Sequence, residues 1–236
     1  GWFVTMELVE GQDFLRWCRR TDTGALHRFD EIRLRSALRQ LAEGVATLHE
    51  SGHIHRDLKA ENVLVTGAGR GVVLDFGLVL EHDAEFTEGT LQKNLAGSAA
   101  YMSPEQSLGE TVGPASDWYS VGVMLYESLT GRWPYEGNIY EILMAKHEHD
   151  PPPPSSLVPD VPADLNRLCM ALLARRPGDR PGVRQILSQL ASRRPMLDVD
   201  GAADFHTRLP LFAELKACFD QAASHHAVVC RVSGEQ

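Results

Sequence analysis

An excess of basic charge is missing from this sequence. Its 236 residues carry 23 Lys and Arg against 32 Asp and Glu, for a formal net charge of −9. Such a balance offers no positive field to hold a nucleic-acid backbone, so nucleic acid is excluded as the expected ligand. Long apolar runs are also missing. No window approaches the roughly 20 uninterrupted apolar residues of a membrane helix, and the opening residues lack the basic, apolar and small-residue succession of a signal peptide. The expected protein is soluble and cytoplasmic, with no membrane segment in this chain. Cysteine is sparse and scattered: Cys18, Cys169, Cys218 and Cys230 form neither a C-x-x-C pair nor a dense framework, which predicts isolated buried thiols. An initiator methionine is absent too. The chain opens Gly1-Trp2-Phe3-Val4-Thr5-Met6, an apolar strand-like run with no polar lead-in, as if it began inside a domain.

What is present is enough for a core, since 43% of the residues are hydrophobic. After the opening strand, Gly11-Gln12-Asp13 breaks the pattern, and Phe14 to Arg20 reads as a short helix. From Asp30, Ile32, Leu34, Leu38, Leu41, Val45 and Leu48 recur at helical spacing until Ser51-Gly52 ends them. Two short apolar runs, Asn62 to Val65 and Gly71 to Leu74, flank a Thr66-Gly67-Ala68-Gly69-Arg70 turn and predict a hairpin. Residues 78–100 are polar and weakly patterned, and a stretch of that kind inside a compact domain is usually functional. Asp117 to Leu129 is apolar nearly all round, the pattern of a buried helix, and Gly131 ends it. Further helices are predicted near 138–148, 163–174 and 182–193. Pro151 to Pro154 reads as a stiff connector, with partner docking as the rarer use of such a run. The composition changes to a linker near 195. The fold class is α+β, mainly α.

The stretch that carries chemistry is His55-Arg56-Asp57-Leu58-Lys59-Ala60-Glu61-Asn62, between the long helix and the hairpin, with Asp75-Phe76-Gly77 on the hairpin's far side. These motifs resemble the catalytic loop and the metal-binding motif of the protein-kinase superfamily. Ser103-Pro104-Glu105, preceded by Gly97-Ser98 and Tyr101-Met102, resembles the end of its activation segment, with Ser in place of the more usual Ala. Asp117-x-Tyr-Ser-x-Gly122 and Gly178-Asp179-Arg180-Pro181 resemble two further family positions. Ala60 stands where the family often has proline, a position that shapes the loop without reacting.

The resemblance implies the large (C-terminal) lobe of a protein kinase, of the bacterial serine/threonine type that the brevity of the loops and Lys59 suggest. It implies ATP and Mg²⁺ as cofactors and a protein substrate with a Ser or Thr acceptor, the protein itself included. Phosphoryl transfer needs positioning and charge neutralisation, so a base, a cation and metal ligands must converge on one phosphate. By resemblance Asp57 orients or accepts the hydroxyl proton, Lys59 neutralises the transferring group, and Asn62 with Asp75 holds Mg²⁺ through hard oxygens. His55, Phe76 and Gly77 are packing elements of this constellation. Asp117 would bond the backbone of the catalytic loop, and Glu105 would pair with Arg180. Val4 to Gly11 resembles the last small-lobe strand and the hinge: Met6 beside adenine, the backbone of Glu7 and Val9 on the adenine edge, Asp13 on the ribose, Leu64 beneath the base. Arg56 directly before Asp57 implies regulation by a phosphate on Thr87 or Thr90, although two threonines in a polar loop need no explanation of their own. Substrate specificity would rest on surroundings of Glu61 and on the segment from Gly97 to Tyr101. The His147-Glu148-His149 and His225-His226 clusters lack a second ligand pair at zinc-like spacing and read as solvated helix ends.

A glycine-rich loop, a strand lysine and its helix glutamate cannot be placed, and the first lysine in the chain is Lys59. The expectation is a kinase domain over 1–194 comprising hinge and C-terminal lobe without the small lobe, with the isolated piece inactive. A linker over 195–209 follows, and residues 210–236 resemble the opening of a P-loop ATPase domain or form a short tail. The alternative is a pseudokinase-like scaffold or binding module that transfers no phosphate. A third reading makes nucleotide sensing by the second domain the main function.

Overall fold

A computed structural model describes residues 8–19, 29–74 and 97–191. Three short strands form one antiparallel sheet in the order β1-β2-β3, with β1 over Gly11–Asp13, β2 over Val63–Thr66 and β3 over Gly71–Val73. The hairpin is as its turn residues predict, with Val63 opposite Val73 and Gly69 at φ 83° in the turn. β1 differs from expectation. Gly11-Gln12-Asp13 is itself a strand, Asp13 facing Leu64 and Gly11 facing Thr66, because ladder pairing with β2 decides a three-residue strand and local propensity does not.

Helix α1, Phe14–Cys18, leaves the sheet at once, capped by the Asp13 side chain. The long helix α2, Glu31–Glu50, starts at Asp30, whose carboxylate accepts from Arg33 N. Leu34, Leu38, Leu41, Val45 and Leu48 line its buried face, while Ile32 is largely exposed and leaves the predicted stripe. Gln40 on α2 holds the hairpin where the turn enters β3: its amide donates to Gly69 O at 2.7 Å and its carbonyl accepts from Gly71 N at 2.9 Å.

A helical turn at 97–101 leads into α3, Pro104–Ser107, and then α4, Pro114–Thr130, which is buried along nearly its whole length. α4 ends at Gly131, whose φ of 79° suits glycine and whose N–H bonds Glu127 O. At Gly122 the helix comes so close to its neighbour that a Cβ would lie 2.8 Å from Leu172 Cβ. That neighbour is α7, Ala163–Leu172; α5 spans Ile139–Glu148, α6 Pro154–Leu157 and α8 Val183–Ala191. Tyr126 donates its hydroxyl to Pro152 O at 3.0 Å, so the proline run is a packed connector. Cys18 and Cys169 are buried free thiols, as predicted, and burial raises both pKa values. One hydrophobic core runs from α1 and α2 through α4 to α7 and α8, with the sheet and the 53–62 loop at its edge. No helix among the described residues is long and apolar enough to cross a membrane. Met6, Glu7, Asp75, Phe76, Gly77, Thr87, Thr90 and the segments 195–209 and 210–236 lie outside the described residues.

Candidate active site

The loop between α2 and β2 is held from beneath by one buried carboxylate. Asp117, on the first turn of α4, accepts from His55 N and Arg56 N at 2.9 Å each and bonds His49 Nε2 at 2.7 Å. A carboxylate accepts up to four bonds, so it can fix two adjacent peptides and a side chain together. The His49 ring in turn sits edge-on to Trp118, 5.5 Å between centroids. Arg56 has φ 68°, left-handed backbone that a non-glycine residue adopts at a cost of about 1–3 kcal/mol. The bonds from Asp117 hold it there. The Arg56 carbonyl is fixed as well, by Gln106 Nε2 of α3 at 2.9 Å. Both faces of the turn that presents Asp57 are therefore anchored to other elements.

His55 is buried and joins the two motif-bearing segments. Its Nδ1 faces Asp57 N at 3.4 Å, so Nε2 carries the proton and donates to Leu74 O at 3.0 Å. Leu74 N donates to Asn62 O at 2.7 Å. Leu74 immediately precedes Asp75, and the loop is thus stitched to the chain that carries the predicted metal ligand.

On this frame the predicted catalytic residues converge. Asp57 Oδ2 lies 3.4 Å from Lys59 Nζ and 3.3 Å from Asn62 Nδ2, which also donates to Asp57 O at 2.9 Å. The Asp57 side chain stays 36% exposed and Lys59 25%, whereas Asn62 is buried. With its amide nitrogen committed to Asp57, Asn62 has Oδ1 as the hard oxygen left for a divalent cation, which fits the chemistry of Mg²⁺. Arg56 directs an exposed side chain that pairs with no carboxylate among the described residues. Leu64 and Asp13 are brought side by side by the strand register. Asp13 Oδ1 accepts from Arg16 N at 2.8 Å, a helix cap that the Asp13-Phe14 junction signals. Val9 is half-buried just ahead of β1.

Behind the loop, Glu105 and Arg180 form a bidentate pair at 2.7 and 2.8 Å, both buried. Arg180 also donates to the carbonyls of Ala174, Ala115 and Arg175, and Ser116 Oγ donates to Glu105. Burial works against the Glu105 carboxylate, but the bonds from Arg180 and Ser116 outweigh it and hold its pKa at about 2. The departure at Ser103 has a physical reason: Ser103 is the N-cap of α3, in a capping box with Gln106. Tyr101 donates its hydroxyl to Glu127 of α4, and burial raises the pKa of both groups. His49, Gln106 and the Tyr101–Glu127 contact escaped the sequence reading, since no spacing links Gln106 to Arg56 or Tyr101 to Glu127.

The family model for the protein kinase domain matches residues 2–190. Serine/threonine-protein kinase PknA of Mycobacterium tuberculosis is 34% identical over 199 residues, covering 82% of this chain and 44% of its own length. PknL of the same species is 35% identical over 179 residues, 75% of this chain and 43% of that protein. A probable serine/threonine-protein kinase, pknA2 of Bifidobacterium longum, is 33% identical over 204 residues, 82% of this chain and 25% of that protein. The chain spans less than half the length of these curated relatives.

Proposed function

The chain belongs to the protein kinase family, and from that premise we propose that it carries the large-lobe machinery of an ATP- and Mg²⁺-dependent serine/threonine kinase in bacterial signalling. The observation that carries the reading is the convergence of Asp57, Lys59 and Asn62 on an anchored, partly exposed turn. Asp57 orients the acceptor hydroxyl and takes its proton as the Oγ–phosphorus bond forms and the bond from the γ-phosphorus to the bridging oxygen breaks, releasing ADP. Lys59 places its positive charge beside the same carboxylate, where it offsets negative charge on the transferring phosphoryl group. Asn62 keeps Asp57 in register and offers Oδ1 to the cation, with Asp75 as the second ligand by family resemblance. Mg²⁺, when bound, neutralises phosphate charge. The glycine-rich loop and strand lysine of an active kinase are not among these 236 residues, so phosphotransfer requires a protein that supplies them.

Arg56 supports the regulatory reading, because its exposed guanidinium leaves the fixed turn with no carboxylate partner among the described residues. A phosphate on Thr87 or Thr90 is the proposed partner. Replacing both threonines with Ala is expected to lower turnover, and unchanged turnover removes that role.

The test joins this chain to a small lobe bearing those elements and measures transfer from Mg²⁺-ATP to myelin basic protein, with phosphoamino-acid analysis. Phosphoserine and phosphothreonine are expected, and Asp57→Asn is expected to abolish them. Equal incorporation by both proteins overturns the assigned mechanism, and no incorporation by either favours a scaffold.

A further inference from the structure

Lys146, on α5, is fully buried, and the chemistry above makes no use of it. Its ammonium donates to three main-chain carbonyls: Ala99 at 2.6 Å, Ala100 at 3.1 Å, and Met102. Ser120 Oγ takes the carbonyl between them, Tyr101 O, at 2.9 Å. Four successive carbonyls, 99 to 102, are thereby fixed from outside their own segment. Lys146 Nζ also lies 5.6 Å from the Tyr119 ring centroid, and Arg180 stacks on the same ring at 5.0 Å. The two cations differ in one respect: Arg180 has Glu105, while no carboxylate among the described residues pairs with Lys146. A buried cation without a counter-ion is expensive, and three carbonyls at the C-terminal end of a helical turn are what offset it here.

The segment so held runs beside the active site. Tyr101 reaches Glu127, its phenol feels the charge of Glu61 on the catalytic loop, and Gln106, just beyond, grips Arg56 O. Gly97 and Ser98 at its start are half-exposed. We propose that Lys146 is a positioning residue for the protein acceptor: its clamp on carbonyls 99, 100 and 102 sets the shape of the surface on which a Ser- or Thr-bearing chain lies. This rests on the phosphotransfer reading and adds to it a determinant of acceptor affinity. Ammonium is the side-chain group suited to the task, since it alone brings three rotatable donors on one atom. Glutamine brings two and methionine none.

Charge state follows from burial, which lowers the Lys146 pKa from its ordinary 10.5 to about 7. The titratable or charged groups around it are Tyr119 of α4, Arg180 with Glu105, Tyr101 of the held segment, and His147 and Glu148 on α5 itself. Above about pH 7 the amine loses one donor and turns a lone pair toward a carbonyl, so the clamp loosens. The sign for folding is opposite. Because the folded-state pKa is depressed, the cost of burying this cation shrinks as pH rises from about 7 toward 10.5. Acceptor affinity and the stability contribution of Lys146 therefore move in opposite directions, which a purely structural lysine would not produce.

The experiment uses the small-lobe-completed kinase with myelin basic protein as acceptor and Asp57→Asn as the control. Lys146→Met is expected to raise the acceptor KM about tenfold, the loss of roughly one charged hydrogen bond, with kcat within about twofold and the KM for ATP unchanged. Lys146→Arg keeps the cation but spreads its donors over a planar fork, so it should recover only part of the loss, leaving the acceptor KM about threefold above wild type. An unchanged acceptor KM in Lys146→Met, with Asp57→Asn inactive, overturns the role of Lys146 and leaves phosphotransfer standing. No transfer by the wild type overturns phosphotransfer itself, and equal transfer by wild type and Asp57→Asn overturns the mechanism assigned to Asp57. Should Lys146→Met not fold, Lys146→Gln carries the same test, and the wild-type acceptor KM between pH 6 and 9 supplies another: it should rise with pH, and a flat profile overturns the proposal.

Discussion

Glu105 with Arg180 and Asp57 with Lys59 are both carboxylate–cation contacts of one lobe, and they are built in opposite ways. Behind the catalytic loop, the Glu105–Arg180 pair is bidentate at 2.7 and 2.8 Å, and its side chains are 4% and 0% exposed. Every remaining donor of the guanidinium also finds a carbonyl. At the loop's outer face, Asp57 and Lys59 stand 3.4 Å apart and a quarter to a third exposed. The first pair has nothing left to offer a ligand. The second is under-bonded, so its charges remain available to a ligand, the proposed hydroxyl and phosphoryl group. Preorganisation here consists of fixing the backbone beneath Asp57 while leaving its carboxylate only loosely engaged.

The sharpest way to break that comparison is to remove one charge from each side. Asp57→Asn keeps the size of the side chain, and a general base in phosphoryl transfer contributes about 10²–10⁴-fold, so kcat should fall by about that factor. Its melting temperature should stay within about 2 °C of wild type, because exposed pairs contribute at most about 1 kcal/mol. Steady-state kinetics beside calorimetry checks both halves. A large loss of stability in Asp57→Asn would mean that the two pairs do not differ in kind.

Arg180→Met reverses the pattern. It leaves the Glu105 carboxylate buried without a partner, and the loss of folding stability should be about 3–5 kcal/mol by denaturant titration. Glu105→Leu combined with Arg180→Met should cost less than either alone, since neither charge is then stranded. The same pair sets an acid limit. Its carboxyl pKa is about 2 against 4.5 in the unfolded chain, so its stabilisation is complete above about pH 4.5 and is lost as pH falls toward 2. In Glu105→Gln the stability curve should lose that acid-side slope.

How much of this could be read from the letters depends on the kind of signal each residue leaves. α2 and α4 were legible because a buried face repeats every three or four residues, and the catalytic loop because its chemistry demands several residue types in one register. β1 was not: Gly11-Gln12-Asp13 looks like a break, and only the ladder with Leu64 to Thr66 makes it a strand. Ile32 fits the helical stripe yet lies at the first turn of α2, beyond the reach of the core, and is 45% exposed. Asp117 and the Glu105–Arg180 pair came through family resemblance. Gln106, His49 and Lys146 left no periodic trace, because a polar group whose partner lies 44 to 68 residues away has no preferred spacing from it.

Gln106 tests the middle of the comparison, the joint between the frame and the reacting carboxylate. Its amide bonds the Arg56 carbonyl, and its own carbonyl completes the α3 capping box. Gln106→Glu keeps the second function and removes the first, while Gln106→Ala removes both. Losing one partly exposed hydrogen bond should cost about 1 kcal/mol, read as a fall in kcat of about fivefold with the KM for ATP unchanged. The two variants should match in kcat, and only Gln106→Ala should show the extra loss of stability from the missing cap. A kcat deficit confined to Gln106→Ala would trace the effect to α3 instead of the Arg56 turn.

The smallest expected effect is a control with the same residue types. Arg39 and Glu43 on α2 meet at 2.9 Å, nearly as close as Arg180 and Glu105, but they are 50% and 42% exposed. In water the attraction is screened and both long side chains must be ordered to make it, so the pair is worth about 0.3–0.5 kcal/mol. Arg39→Gln should therefore shift the melting temperature by less than about 2 °C, and the shift should vanish in 1 M salt. Arg180→Met, whose partner cannot reach solvent, should keep most of its deficit at the same salt. If the two variants responded alike to salt, short distance alone would govern both pairs. If they diverge, burial and the surrounding carbonyls make Arg180 structural, and the same reasoning leaves Lys59, partly exposed at 3.4 Å from its carboxylate, free to act on a ligand.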